Sequence, residues 1–436
     1  MSRPDYDNVV RLVHCYHCIG MKVLIVGGGG REHALAWRLA KSPEVERVFA
    51  TPGNPGIARI AACLPSGDGS PGAYLAVAES VNAELTVVGP EAPLVAGVVD
   101  AFRARGRAIF GPAAAAAQLE GSKVFAKNFL QQRDIPTAAF AAAPNAAEAR
   151  RALDRFSYPL VIKQDSLAAG KGVVVAEDRV MAEAALASLK PPFVIEEFLA
   201  GEEVSYIVLS DGRNVVPLEP TQDHKAVFNG DAGPNTGGMG AYCDSRILTA
   251  AESRTILDRI IRPTIEATGF TGFLYAGLMM TTAGPKVLEF NVRLGDPETQ
   301  PIMHRMRTDL APLLLAAARG ALPATHIEWQ PGPSVCVVMA SGGYPGAFAT
   351  GKPIHGIEAA EAAGATVFHA GTRQGCAGLE TAGGRVLGVT ASGIDLSVAI
   401  DNAYAALRLI HFDGMHYRTD IGRKGLKRYN DCIAGT

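Results

Sequence analysis

The sequence predicts a multidomain protein of mixed α/β and α+β class, and three observations carry that reading. From Met21, short apolar runs alternate with amphipathic segments, as in a doubly wound parallel sheet with covering helices. From Ser122, apolar runs separated by Gly-rich turns read as antiparallel sheets. A Pro/Gly-containing stretch, Glu328 to Pro333, precedes a third segment of mixed strands and helices. The expected division is a disordered extension over 1–20, an α/β domain over 21–121, a second domain over 122–327 and a small C-terminal mixed α/β domain over 328–436. A chain of 436 residues suits about three domains.

The extension is polar and pattern-poor. Its His14-Cys15-Tyr16-His17-Cys18 cluster has zinc-ligand chemistry, but no second ligand pair sits at finger spacing, so no metal is expected there. Lys22–Val26 is a short apolar run fitting a buried parallel strand, followed by Gly27–Gly30 and a helix carrying Ala34, Leu35 and Leu39. Further strands are expected at Arg47–Ala50, Leu85–Val88 and Ala108–Phe110; the last two end in Gly-Pro stops. Asn145 with Glu148 predicts a helix cap. Strands follow at Leu160–Lys163, Gly172–Ala176, Phe193–Glu196, Glu203–Leu209 and Val215–Leu218, then a helix over Ala251–Ala267 and strands Leu274–Met280 and Lys286–Phe290. The last segment reads as strands Val335–Met339 and Arg385–Thr390 and a helix near Val398–Leu407. The Ala-rich runs 113–117 and 138–143 are helix-compatible and carry no chemistry.

Composition excludes several classes of function. Hydrophobic residues are 48% and charged residues 19%, which permits a sizeable core and excludes general disorder. Basic and acidic side chains number 41 and 43, so nothing steers the chain to nucleic acid or to an anionic membrane. Leu310 to Leu322 is short and broken by Arg319, so no bilayer span is expected. Seven cysteines fit reduced thiols, and Arg3 and Arg11 lack the apolar region of a secretory signal. A soluble, cytoplasmic protein is expected.

Five motifs carry chemistry. Gly27-Gly28-Gly29-Gly30-Arg31-Glu32-His33 follows a strand and opens a helix, which suits an anion; Glu32 breaks the dinucleotide fingerprint and disfavours a dehydrogenase. Lys163, then Gly170-Lys171-Gly172, brings two cations and bare amides over one spot, as nucleotide phosphates require. It is not a Walker A loop, because Asp165 and Gly172 occupy the wrong positions. Val194 to Leu199 with Glu203 offers a strand end for an adenine edge and a carboxylate for ribose. Alternation puts Glu289, Asn291 and Arg293 on one face, opposite Leu288, Phe290 and Val292, giving hard oxygen ligands beside a guanidinium. Gln222-Asp223-His224-Lys225 and Gly233–Ala241 make a Gly-dense loop with exposed amides. No nucleophile arrangement stands out, and His33 and His224 read as hydrogen-bonded loop histidines.

Taken in register, Met21–His33, Val88–Leu94, Gln118–Lys123, Leu167–Gly172, Gln222–Lys225, Gly233–Ala241 and Leu294–Pro301 resemble the phosphoribosylamine–glycine ligases (glycinamide ribonucleotide synthetases) of the ATP-grasp superfamily. The resemblance runs from Met21 to about Gly422 and includes Gly342–Gly346 and Asp420–Gly422. It implies an N-terminal pre-ATP-grasp domain, an ATP-grasp domain and a small C-terminal domain. The implied reaction joins glycine to 5-phosphoribosylamine with ATP, through glycyl phosphate, in purine biosynthesis. Substrates then bring their own reactive atoms, which agrees with the missing nucleophile.

The resemblance also implies roles. Lys123, Lys163, Gly170, Lys171 and Gly172 would hold ATP phosphates; Glu196, Glu197 and Leu199 would lie along adenine, with Glu203 near ribose. Glu289 and Asn291 would bind Mg²⁺ or Mn²⁺. Arg293 would clamp the glycine carboxylate or acyl phosphate, and Asp223 would face the glycine amine; with Lys163 these are the catalytic candidates. Gly28, Gly29, Arg31, Glu32, Pro90 and Glu91 would line the phosphoribosylamine site, supported by Gly295 and Asp296. The chain departs from the family at Gln164 and Ser166, next to the phosphate loop, and at Val292 and Leu294. Strand Tyr275–Met280 offers no acidic side chain as a further metal ligand. A different ATP-grasp carboxylate ligase or carboxylase and a non-catalytic nucleotide-binding regulator are the competing readings.

Overall fold

The computed structural model describes residues 20–166, 172–376 and 378–430. The extension up to residue 19, its Cys/His cluster, and Gly170 and Lys171 lie outside the described residues.

The first sheet follows from its apolar runs. Val23, Leu24, Ile25 and Val26 are fully buried in β1 (Met21–Gly27), as a parallel strand covered on both faces requires. It pairs with β2 (Val45–Pro52), which is followed outward by β3 (Ala62–Cys63). On its other side stand β4 (Leu85–Val88) and then β5 (Ile109–Phe110), giving the all-parallel order β3-β2-β1-β4-β5. The chain changes sides between β1 and β4, so the loops after these two strands open on one crevice.

Helices Ala114–Gly121 and Lys123–Gln132 join the first region to the second, and Ser122 caps the latter by accepting from the Phe125 N–H at 3.0 Å. A four-stranded antiparallel sheet comes next: β6 (Phe140–Ala143), β7 (Leu160–Gln164), β8 (Val173–Ala176) and β9 (Phe193–Glu197), in the order β6-β9-β7-β8. Helices Ala146–Leu153 and Arg179–Ser188 pack on it around a separate core that includes Leu153, Leu160, Ile162 and Ile195. Asn145 caps the first of them as expected. The run 138–143 corrects a sequence expectation. Ala is a good helix former, yet 140–143 is an edge strand, because pairing with β9 overrides the local preference.

The central sheet has ten strands. Its members are β10 (Glu202–Asp211), β11 (Val215–Pro217) and β12 (Thr221–Asp223). A hairpin, β13 (Ala226–Phe228) with β14 (Ala232–Asn235), stands off the sheet before β15 (Gly240–Cys243) returns to it. Then come β16 (Thr271–Thr281), β17 (Gly284–Asn291), β18 (Ser334–Ser341) and β19 (Thr366–His369). A separate hairpin of β20 (Thr372–Gly375) and β21 (Gly378–Thr381) precedes β22 (Arg385–Ser392), and β23 (Met415–His416) pairs with β18. The order is β17-β16-β10-β12-β15-β18-β22-β19. Chain from Ser334 therefore continues the sheet of the preceding region through the β15–β18 ladder.

The helix expected at 251–267 runs from Ala250 to Thr268, with one π-helical stretch at Leu257–Ile261. Leu310–Ala318 is a helix whose Leu310, Leu313 and Leu314 share a core with Val23 and Ile25 of β1 and Ile207 of β10. Among the described residues no helix is long and apolar enough to cross a membrane.

Candidate active site

The crevice between β1 and β4 is built by Glu32. Its carboxylate accepts from the Gly29 N–H and the Arg31 Nε–H, both at 2.6 Å, closing a capping box at the start of helix Gly30–Leu39. It fits only because Gly89 has no side chain: a Cβ there would overlap Glu32 Oε1 and lie 2.5 Å from its Cγ. Glu32 therefore sits behind the glycine loop, and Gly28, Gly29 and Glu32 do not line the cleft in front. Arg31 does, reaching the Leu294 carbonyl at 3.1 Å, and Pro90 and Glu91 do as well.

That cleft is a cavity of about 470 Å³ shared by the first region, the small sheet and the central sheet. Its floor is the end of β17. Register shifts between β16 and β17, so that Gly277 faces Glu289 and Leu278 faces Val287, leaving Leu288 as a bulge. Strict alternation thus fails at Leu288: it packs with Ala138, Leu199 and Met279 on the cleft side, while Phe290 and Val292 enter the core. Glu289, Asn291 and Arg293 face the cleft as expected. Burial pushes the Glu289 carboxyl up, but Lys225, Lys163, Lys123 and Arg293 together outweigh it and hold the group below its ordinary value. Glu289 and Asn291 are therefore an ionised carboxylate and an amide oxygen two residues apart, hard donors that suit a divalent cation.

Arg293 is engaged on several sides. Its guanidinium donates to Glu120 at 2.6 Å, to Glu91 at 3.3 Å and to Asn291 Oδ1 at 3.1 Å. Burial works against its charge, but Glu120 and Glu91 raise it well above the usual range. Asp296 pairs with Arg385 at 3.2 Å and accepts from Gln300 Nε2 at 2.8 Å.

Two cations reach the cleft from two elements. Lys123 Nζ donates to the Ser166 carbonyl at 2.8 Å, while its backbone N–H donates to Asp165. Lys163, at the end of β7, pairs with Glu196 at 3.0 Å and donates to the Leu288 carbonyl at 3.1 Å. Gln164 and Ser166 bond each other at 2.6 Å where the chain leaves β7. Beside them the strand β9 ends at Glu197, whose carboxylate accepts from the Ala139 N–H and from Lys286, each at 2.9 Å. Both acidic side chains of β9 are thus held by protein groups: Glu196 is not solvated surface, and Glu197 is tied to β17. Leu199 and the half-exposed Phe198 offer apolar surface next to them.

Opposite lies a second carboxylate cluster. Glu203 pairs with Lys225 at 2.7 Å. Glu298, buried, accepts from the Tyr275 hydroxyl at 2.9 Å. Burial first, then Glu298 and Glu203, push the Asp223 carboxyl up to about 7 against the pull of Lys225. His224 turns away from the cleft: its Nε2 accepts from the Gly422 N–H and its Nδ1 faces the Gly240 carbonyl, each at 3.3 Å. Burial foremost pushes both His224 and His33 down to about 3, so at neutral pH both are uncharged imidazoles and weak proton acceptors.

Of the candidates, Lys123, Lys163, Gly172, Glu196, Glu197, Leu199, Glu203, Asp223, Glu289, Asn291, Arg293, Gly295 and Asp296 share the cavity with Arg31, Pro90 and Glu91. Sequence reasoning missed Glu120, Lys127, Tyr275, Glu298 and Arg385 as lining residues, and used Lys225 only as part of a motif. Glu120 stood inside a quoted motif, and Glu298 in the polar loop after Asp296; the other three carried no local signal.

Comparison with known proteins gives the family. Residues 21–120 match the N domain of phosphoribosylglycinamide synthetase, 121–299 its ATP-grasp (A) domain and 334–424 its C domain. The chain is 50% identical over 424 residues to the phosphoribosylamine–glycine ligase of Pseudomonas aeruginosa, covering 94% of this chain and 99% of that one. It is 50% identical over 426 residues to the Escherichia coli K12 enzyme of the same name, with the same coverage. The crystal structure of the Thermotoga maritima phosphoribosylamine–glycine ligase superposes with a TM-score of 0.81 at 35% identity, over 92% of this chain and all (100%) of that one. A biotin carboxylase domain from Hydrogenobacter thermophilus, at 18% identity and a TM-score of 0.70, shares the fold.

Proposed function

The chain belongs to the phosphoribosylglycinamide synthetase family, and from that membership we propose how its cavity performs the ligation of glycine to 5-phosphoribosylamine. The protein is an ATP-dependent ligase of purine biosynthesis that yields glycinamide ribonucleotide, ADP and phosphate. It uses ATP and a divalent metal.

In our reading the triphosphate lies between Lys123 and Lys163, with adenine beside Leu199 and the 196–199 backbone, and ribose toward Glu203. A glycine carboxylate oxygen attacks the γ-phosphorus, the bond to ADP breaks, and glycyl phosphate forms. The phosphoribosylamine nitrogen then attacks the glycyl carbonyl, the C–O bond to phosphate breaks, and the amine gives up a proton. Arg293 holds the glycine carboxylate and the acyl phosphate, and Asp223 holds the glycine ammonium. Arg31 and Glu91 receive phosphoribosylamine, with Arg31 held from behind by Glu32 and with Gly295 and Asp296 beside them. Catalysis is positioning plus charge neutralisation. Mg²⁺ or Mn²⁺ suits Glu289 and Asn291, where it would neutralise phosphate oxygens.

The observation that supports this reading is that Lys163, Glu289, Arg293 and Glu91 line one cavity although separate segments of the chain supply them. We assign phosphoribosylamine to residues 21–121 and the nucleotide to 122–327, while 328–436 supplies Arg385, which pairs with Asp296. The cytoplasm suits the free thiols of Cys63, Cys243, Cys336 and Cys376. We propose a monomer or homodimer. The test is thermal stabilisation by Mg-ATP, with and without glycine, in wild type and R293A. Glycine should add a shift only in wild type; an equal glycine shift in R293A overturns the assignment of Arg293.

A further inference from the structure

Glu196 is shared by two lysines. Lys163 Nζ lies 3.0 Å from its Oε1 and Lys127 Nζ 2.9 Å from its Oε2, and all three side chains are at most 10% exposed. Lys127 also donates to Thr137 Oγ1 at 2.7 Å, and Thr137 donates on to the Val287 carbonyl at 2.7 Å. Lys127 stands one turn after Lys123 on the helix Lys123–Gln132, so a single helix delivers both ammonium groups to the cavity.

We infer that Lys127 is a positioning residue for ATP binding: by sharing Glu196, it leaves Lys163 a net cation toward the nucleotide phosphates. The charge count makes the point. A lone Lys163–Glu196 pair is neutral, and its carboxylate would compete with phosphate for the same ammonium. Two lysines on one carboxylate leave one positive charge over, on the side that opens to the cavity. A buried charge without its partner is strongly unfavourable, so when Lys127 is absent Glu196 draws fully on Lys163. Two of the three Lys127 N–H groups are already engaged by protein oxygens. Glu196 holds one side of its ammonium and Thr137 another, and its side chain is 4% exposed.

The inference rests on the reading of Lys163 as a phosphate ligand, and the experiment separates the two. Steady-state KM values for ATP and for glycine are measured for K127M, K127R, E196Q, K127M/E196Q and K163M, with thermal melts as a folding control. K127M should raise the KM for ATP about tenfold and leave that for glycine within about twofold, while K127R, which keeps the charge, should stay near wild type. Once E196Q has removed the shared carboxylate, the charge at position 127 should no longer matter, so K127M/E196Q should match E196Q; this comparison stands even if K127M alone does not fold. A KM for ATP in the double variant about tenfold above that of E196Q would overturn the inference, because Lys127 would then act on the nucleotide itself. An unchanged KM in folded K127M would overturn it too. An unchanged KM in K163M would instead remove the phosphate reading of Lys163.

Discussion

Arg293 and Glu120 meet at 2.6 Å where the first region joins the central sheet. The same carboxylate accepts from the Val292 N–H at 2.8 Å, so Glu120 fixes both the backbone after β17 and the guanidinium it carries. Glu91 makes a longer contact, 3.3 Å, on the open side. Arg293 is thus anchored by one acidic partner and touched by another. An anionic substrate group can take the place of Glu91 without disturbing the Glu120 anchor.

It follows that E120A should do more harm than E91A to the glycine step. Loss of one partner of a buried pair leaves an uncompensated charge, so E120A should lose about 3 kcal/mol of stability. Its kcat/KM for glycine should fall about a hundredfold, the scale of a lost oriented charge. Denaturant melts and ADP-release kinetics check both. Wild-type glycine kinetics in E120A would show that Arg293 orients itself.

The metal assignment is tested through E289A. Its carboxylate stays ionised because four cations outweigh burial, and removing it takes away the charged half of the oxygen donor pair. ADP release with saturating glycine should fall about a hundredfold or more. Mn²⁺ affinity, read by electron paramagnetic resonance, should fall with it. Near-normal turnover would reject the role.

Asp223 gives a pH signature. Its carboxyl is pushed up to about 7, first by burial, so between its ordinary value near 3.8 and about 7 the folded state holds a proton that the unfolded chain has lost. Stability contributed by the protonated group therefore falls as pH rises through that window, and D223N should flatten this slope. A glycine ammonium needs the ionised form. The KM for glycine should fall as pH rises through about 7 in wild type and stay level in D223N. A parallel profile in D223N would assign the titration elsewhere.

Much of this is legible in the sequence. Strand β1, the Gly27–Glu32 turn and the polar face of Glu289, Asn291 and Arg293 are local patterns, and short-range sterics and alternation determine them. What alternation could not show is the bulge at Leu288, which depends on how β16 pairs with β17. The strand at 140–143 is hidden for the same reason: its partner, Phe193–Glu196, is remote in sequence. Lys127 and Arg385 look like ordinary surface charges in the sequence. Only the fold brings Lys127 to Glu196, and Arg385 to Asp296 and the Gly237 carbonyl. Glu32 reads as a ligand-facing residue next to a phosphate-type loop, yet its carboxylate is spent on the loop's own amide and on Arg31.

That placement of Glu32 makes Gly89 a sensitive position. An alanine Cβ at 89 would overlap Glu32 Oε1 and lie 2.5 Å from its Cγ and 2.6 Å from its Cδ. The Glu32 side chain cannot swing away cheaply, because that breaks its contacts to the Gly29 N–H and to Arg31. A buried carboxylate left without donors is itself unfavourable, so G89A should destabilise the protein by about 2 kcal/mol. The loop and Arg31 would lose their fixed positions while Lys123, Lys163 and Glu289, on other segments, keep theirs. The KM for phosphoribosylamine should therefore rise about tenfold with the KM for ATP unchanged. Equal rises in both would mean that the crevice and the nucleotide site are not separable, and wild-type values for both would mean that Glu32 does not shape the loop.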